Sequence, residues 1–225
     1  MLRTRIKICG ITDPQSAELA GRVGADAIGL VFVEQSVRCV SVERARRIIG
    51  ALPAWVEPVG LFADQPPETV RSVAQSLNLR TVQLHGSESP ADAEALDPLR
   101  VVKALHFDAD HAEDLLALWC PPRPNVAGLL WDTPPDEGAA PGGSGRTFHW
   151  EALASLLHET DHADRPATIL AGGLEAGNVD EAIHTIAPYG VDVSSGVERA
   201  RGQKDAEHIA TFCAAVWQAD RPDHR

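Results

Sequence analysis

Eight short apolar runs, each followed by a helical or loop segment, constrain this chain more than any other feature. They are Ile6–Cys9, Ala27–Phe32, Val56–Phe62, Thr81–His85, Val101–Leu105, Val126–Asp132, Thr168–Ala171 and Val191–Ser194. Most are continuous rather than alternating, the pattern of strands buried on both faces, as in a parallel sheet. Between them lie helical patterns. Asp13-Pro14 opens a helix that ends near Gly24, and Ser41 caps one that reaches Gly50. Val70, Val73, Ala74 and Leu77 form an amphipathic stripe at i, i+3, i+4, i+7. Val179, Ala182, Ile183 and Ile186, with Asn178 as the cap, repeat it, as do Ile209, Phe212, Cys213 and Val216. Three weaker helices are predicted over Pro90–Leu96, His111–Leu118 and Trp150–Leu157.

Strands alternating with helices imply right-handed crossovers and a parallel sheet. Eight such units in 225 residues predict a closed (β/α)8 barrel of the TIM type, a single domain over residues 1–225. A hydrophobic content of 44% supplies a substantial core. One stretch breaks the pattern. Thr133 to Gly145 is too rich in glycine and proline for a helix or strand, and reads as a lid or binding loop, or as a linker.

Charge and cysteine usage exclude several function classes. A net charge of -12 disfavours nucleic acid, whose phosphates need clustered cations. Arg44, Arg46 and Arg47 are the nearest thing to a basic cluster and read as the solvated face of a helix. No run suits a signal peptide or a membrane span, so no membrane partner is expected. Cys9, Cys39, Cys120 and Cys213 are too scattered for a zinc site or a disulfide framework, which fits a reducing cytoplasm. The sequence carries no metal-ligand cluster and no nucleotide fingerprint. Five tryptophans could furnish an interface, but a monomer and a homodimer both remain open.

In such a barrel the strand ends converge on one mouth. The residues there are Cys9, Arg38, Asp64, His85, Asp132, Gly172-Gly173 and Ser194-Ser195-Gly196. The glycine and serine loops after strands seven and eight suggest an anion site built from backbone N–H groups. Cys9 and Asp132 are a candidate base and acid on opposite sides of the barrel. A lone cysteine on a strand is more often a small core residue, and Asp132 could merely cap a loop. Yet a carboxylate closing the apolar run Val126–Trp131 is costly unless it is paired or exposed at the mouth. Arg38 could clamp a carboxylate or lie at the surface. His85 reads first as a structural histidine and Asp64 as a helix entry.

Together the motifs resemble the phosphoribosylanthranilate isomerase family of tryptophan biosynthesis. The resemblance rests on Lys7-Ile8-Cys9-Gly10-Ile11-Thr12, Gly24–Phe32 and Val82-Gln83-Leu84-His85-Gly86-Ser87-Glu88. It continues through Gly142-Gly143-Ser144-Gly145-Arg146-Thr147-Phe148, Gly172-Gly173-Leu174 with Asn178-Val179, and Val191–Glu198 with Lys204-Asp205. It implies a cofactor-free Amadori rearrangement of a phosphosugar-anthranilate substrate. Asp132 would be the general acid and Cys9 the general base. Arg38 would hold the anthranilate carboxylate, with His85 among the substrate-binding residues. Gly172, Gly173, Ser194, Ser195 and Gly196 would hold the phosphate, and the loop with Gly143 and Gly145 would close over the substrate.

The chain departs from the family pattern at Val33-Glu34-Gln35-Ser36, Cys39, Asp64, His149 and the insert Pro134–Pro141. These positions concern loop contacts and substrate range rather than the acid–base pair. Two rivals stand beside this reading. A histidine-pathway aminoaldose isomerase resembles it but carries an aspartate where this chain has Cys9. A phosphosugar-binding barrel without catalysis would not need both Cys9 and Asp132.

Overall fold

The computed structural model describes residues 3–120, 123–134, 147–160 and 165–221. Its strands are β1 (Arg5–Cys9), β2 (Ala27–Val31), β3 (Glu57–Phe62), β4 (Thr81–Leu84), β5 (Arg100–His106), β6 (Val126–Asp132), β7 (Ala167–Leu170) and β8 (Gly190–Val193). They pair in chain order, all in parallel, and β8 returns to β1 to close the barrel. Helices follow each strand: α1 (Pro14–Arg22), α2 (Val42–Ile49), α3 (Pro67–Leu77), α4 (Pro90–Glu94), α5 (Ala112–Trp119), α6 (Trp150–His158), α7 (Val179–Ile186) and α8 (Ala206–Ala219). The predicted (β/α)8 barrel is therefore the fold. None of the described helices is long and apolar enough to cross a membrane.

Alternation along each strand sorts the side chains. On β1, Ile6 and Ile8 face outward and join the large apolar layer between barrel and helices, while Cys9 belongs to a separate interior group with Val31 and Leu61. Across the barrel, Ala104, Leu130 and Ala171 form a second interior group. The outward layer carries most of the burial. Trp131 and Trp119 are fully buried in it, and each large apolar side chain sequestered this way contributes about 1.5–3 kcal/mol. Trp55, in contrast, is 96% exposed.

Local signals set the helix starts. Asp13 accepts from the Ser16 N–H at 2.8 Å, Ser41 from the Arg44 N–H at 3.2 Å, and Ser89 with Asp92 forms a capping box. Asn178 departs from expectation. It stands at the start of α7, but its amide bridges Gly173 O and the Glu175 N–H at 2.9 Å each, so it braces the preceding loop instead of capping. Past β8 the chain makes a 3-10 turn, Ser195–Val197, and a hairpin of β9 (Glu198–Ala200) and β10 (Gln203–Lys204), none of it predicted.

Candidate active site

Most of the candidate residues gather at the C-terminal mouth of the barrel. Cys9 ends β1 and Asp132 ends β6, both on inward-facing positions. Gly10 follows Cys9 at φ +75°, a conformation that favours glycine, and a Cβ there would lie 2.4 Å from Arg38 Cδ. The Arg38 side chain therefore runs directly across the turn behind the thiol.

Arg38 is not the surface residue its position allowed. It is buried, with Nε and Nη2 donating to the two oxygens of Glu198 at 2.7 and 2.8 Å. Lys204 Nζ donates to the same carboxylate at 2.9 Å and to Ser194 O at 2.8 Å. Burial pushes the Glu198 carboxyl up, but the bonds from Arg38, the charge and bond of Lys204, and the Gly202 N–H outweigh it and hold it at about 2. Sequence reading missed this lock because its members come from β2's trailing loop and the unpredicted hairpin.

The surroundings of Asp132 are built differently. Asp132 Oδ1 accepts from the Thr133 N–H at 2.8 Å, and Oδ2 lies 3.3 Å from His85 Nε2. His85 Nδ1 lies 2.8 Å from the amide nitrogen of fully buried Gln83. An amide N–H donating there leaves the ring hydrogen on Nε2, facing Asp132. His85 is thus turned to the carboxylate rather than to a loop. His106, paired in register with Asp132, packs its ring edge-on to His85 at 5.9 Å. Burial and then the His85 ring push the His106 imidazolium down, against the opposing pull of Asp132.

Asp64 leads into α3, whose N-cap position is Pro66, but its side chain turns to the loop after β4 instead of capping the helix. It sits at φ +58°, accepts from the Ser87 N–H at 2.7 Å, and donates its own N–H to Glu88. Glu88 is buried with Lys103 Nζ at 2.8 Å, so this cluster braces the turn that carries His85.

The loops after β7 and β8 meet backbone to backbone. A Cβ on Gly196 would lie 2.0 Å from Leu174 O, and one on Gly172 would lie 2.4 Å from Thr133 Oγ1 and 3.1 Å from Asp132 Oδ1. Gly172-Gly173 and Ser194–Gly196 therefore share one rim beside Asp132. Gly143 and Gly145 lie outside the described residues.

A family model described as N-(5'phosphoribosyl)anthranilate (PRA) isomerase matches residues 6–215. The chain belongs to this family. An N-(5'-phosphoribosyl)anthranilate isomerase of Halorhodospira halophila is 41% identical over 221 residues, which cover 97% of this chain and 99% of the relative. Among solved structures, the phosphoribosyl anthranilate isomerase of Thermus thermophilus superposes with a TM-score of 0.82 at 35% identity, covering 96% of this chain and 99% of that one. A second isomerase, in complex with reduced 1-(o-carboxyphenylamino)-1-deoxyribulose 5-phosphate, gives 0.79 at 32% identity, with 96% and 99% covered.

Membership in the isomerase family leaves several charged residues of this mouth to be explained. Lys7 and Asp192 are register partners on β1 and β8, with Lys7 Nζ 2.7 Å from Asp192 Oδ2. Asp192 also feels the charges of Asp132 and His85, so it lies electrostatically between Lys7 and the Asp132–His85 pair. Of these mouth residues, Asp192 Oδ1 is buried without a hydrogen-bond partner, and His85 Nε2 has only its 3.3 Å ion-pair contact with Asp132. Buried polar atoms are rarely left so, and such orphans are where a ligand's own polar atoms find partners. The sequence places a lysine between Ile6 and Ile8 and an aspartate between Val191 and Val193, but only the closed barrel makes them neighbours.

Proposed function

We propose that the chain works as one (β/α)8 domain and converts N-(5'-phosphoribosyl)anthranilate to 1-(o-carboxyphenylamino)-1-deoxyribulose 5-phosphate. Asp132 protonates the ribose ring oxygen, and the ring opens to a Schiff base. The Cys9 thiolate then removes the C2′ proton. The resulting enolamine tautomerises to the ketone, so no group is lost and no external electron carrier is needed. The anthranilate nitrogen accepts the electron pair in the middle step.

The observation that carries this reading is the placement of a thiol and a carboxylate on inward-facing ends of β1 and β6 in a barrel that belongs to the isomerase family. Other features support it. The glycine-bearing loops with Gly172, Gly173, Ser194, Ser195 and Gly196 fit a phosphate, which takes backbone N–H groups where no side chain intrudes. Arg38 gives Nε and Nη2 to Glu198, and its Nη1 fits the anthranilate carboxylate. His85 holds the face of Asp132 at which the ring oxygen would sit. Gly143 and Gly145 belong to the loop that would cover the substrate. None of the described cysteines is in a disulfide, which fits a reducing cytoplasm.

The test is the loss of phosphoribosylanthranilate fluorescence on mixing with purified protein, run beside the histidine-pathway aminoaldose substrate. Turnover of the first alone is expected. Turnover of the second alone, or of neither, would overturn the reading.

A further inference from the structure

Lys7 is a cation of the mouth that no step above employs. Lys7 sits two residues before Cys9 on β1, so both side chains enter the barrel on the same side of the strand. Their neighbour on β2 is Gly29, the register partner of Cys9. A Cβ on Gly29 would lie 2.6 Å from Cys9 Sγ and 3.2 Å from Lys7 Nζ. Sulfur and ammonium thus crowd the same side-chain-free point. Their other neighbour is Asp192 on β8, which receives Nζ at 2.7 Å.

We propose that Lys7 is a positioning residue for the base: anchored on Asp192, its ammonium directs an N–H at Cys9 Sγ and stabilises the thiolate that takes the C2′ proton. This rests on the isomerase reading, which gives Cys9 that task. An ammonium has three hydrogens, and Asp192 Oδ2 takes one, so Lys7 has hydrogens left for the sulfur. Its exposure is low enough for the charge to act in a weakly screened environment, with the lysine and aspartate side chains 12% and 6% exposed.

The other charges facing the thiol are accounted for. Lys204 also attracts a thiolate, but its Nζ is bound to Ser194 and Glu198. Arg38 passes behind Gly10 and is bound to Glu198. Asp192 repels a thiolate. From β2 and β3, Gly29, Val31 and Leu61 pack with the thiol, and none of them carries a charge. Burial pushes the Cys9 thiol up, Lys7 is the largest influence pulling it down, and the net direction is upward. Lys7 itself would be pushed down by burial, but Asp192 and then Cys9 outweigh that and raise it, so it stays an ammonium at neutral pH. A thiol buried this deeply needs such a cation to serve as a base at all.

The test reads the thiol rather than turnover. Wild type, Lys7→Met, Lys7→Gln and Lys7→Arg are alkylated with iodoacetamide across a pH series. The Cys9 peptide is quantified by mass spectrometry, with the Cys39 peptide as internal control. Removing the ammonium is expected to move the Cys9 midpoint up by about one pH unit or more, as loss of an adjacent opposite charge does. Lys7→Arg should recover most of the shift, and the Cys39 midpoint should stay. The alkaline limb of kcat/KM should move with Cys9. A Cys9 midpoint unchanged in a folded Lys7→Met or Lys7→Gln protein overturns the proposal.

Should both fail to fold, Asp192→Asn carries the test. Its amide still accepts from Nζ but no longer repels the thiolate, so the midpoint should fall, and an unchanged midpoint there overturns the proposal equally. Alkylation reports the influence of Lys7 even in a protein that turns over nothing, so failure here and failure of the isomerase reading are told apart.

Discussion

The two rims of the barrel use the same pairing of cation and carboxylate for different ends. At the N-terminal rim, Asp26 binds Arg3, Arg5 and the Ile6 N–H, and Asp220 receives the N–H and hydroxyl of Thr4. These contacts fasten the first strand to α8 and to the start of β2. Their cations are open to water, with the Arg3 and Arg5 side chains 44% and 41% exposed. At the C-terminal rim, Arg38, Lys204 and Glu198 are each no more than 7% exposed. Open pairs contribute about 0–1 kcal/mol, whereas buried ones must first repay desolvation. Among the described residues, the chain bears that cost around the mouth. In a barrel of this kind the lower face serves stability and the upper face chemistry.

The sharpest way to break this comparison is at Asp132. Asp132→Asn keeps the size of the side chain and removes the proton donor. A fall in kcat of about 100- to 10,000-fold is expected, with the melting temperature essentially unchanged. Cys9→Ser should lose a similar factor, since a hydroxyl is far harder to ionise than a thiol. Both are read from the fluorescence assay beside a thermal melt. A variant that loses stability but keeps its rate would make Asp132 a structural residue, and the contrast between rims would dissolve.

How much of this was legible in the sequence follows from how far apart the partners lie. β6 was bounded correctly at both ends, Val126–Asp132, because a continuous apolar run stops at a charge. Asp13 and Ser41 were readable as caps because a cap acts on a backbone N–H three residues on. Cys9 and Asp132 stood out as polar ends of apolar runs. Lys7 and Asp192 did not, because only closure of β1 onto β8 makes them neighbours across 185 residues. Nor did the Arg38–Glu198 pair, which spans 160 residues and joins a loop to a hairpin too short to leave a periodic signature. Asn178 shows the converse failure. Its type and position suit a cap, but two loop atoms offered it better-placed partners.

A second test separates the rims by stability. Glu198→Ala strips the carboxylate from two buried cations, Arg38 and Lys204. Leaving such charges unpaired costs about 3–5 kcal/mol, measurable by urea denaturation. KM should also rise, because Arg38 loses the partner that aims it. The pH dependence has a definite sign. Glu198 is held at about 2 in the folded protein against 4.5 ordinarily, so its contribution is complete above 4.5. It is lost as pH falls from 4.5 toward 2. The stability gap between wild type and variant should therefore narrow over that window and hold constant from pH 5 to 7.

The smallest expected effect lies at the opposite rim. Asp26→Asn removes the negative charge beside Arg3 and Arg5, while its amide oxygen can still accept from the Ile6 N–H. The lost pairs are partly open to water, so the expected destabilisation is about 1 kcal/mol or less, with kcat and KM unchanged. Salt gives this prediction its discriminating power. At about 1 M salt the screening length contracts to about 3 Å, so the difference between wild type and Asp26→Asn should nearly vanish in denaturation curves. The Glu198→Ala deficit should persist at the same salt, because ions do not reach side chains buried that deeply. If the two deficits respond to salt alike, the rims differ only in position along the barrel axis and not in electrostatic character.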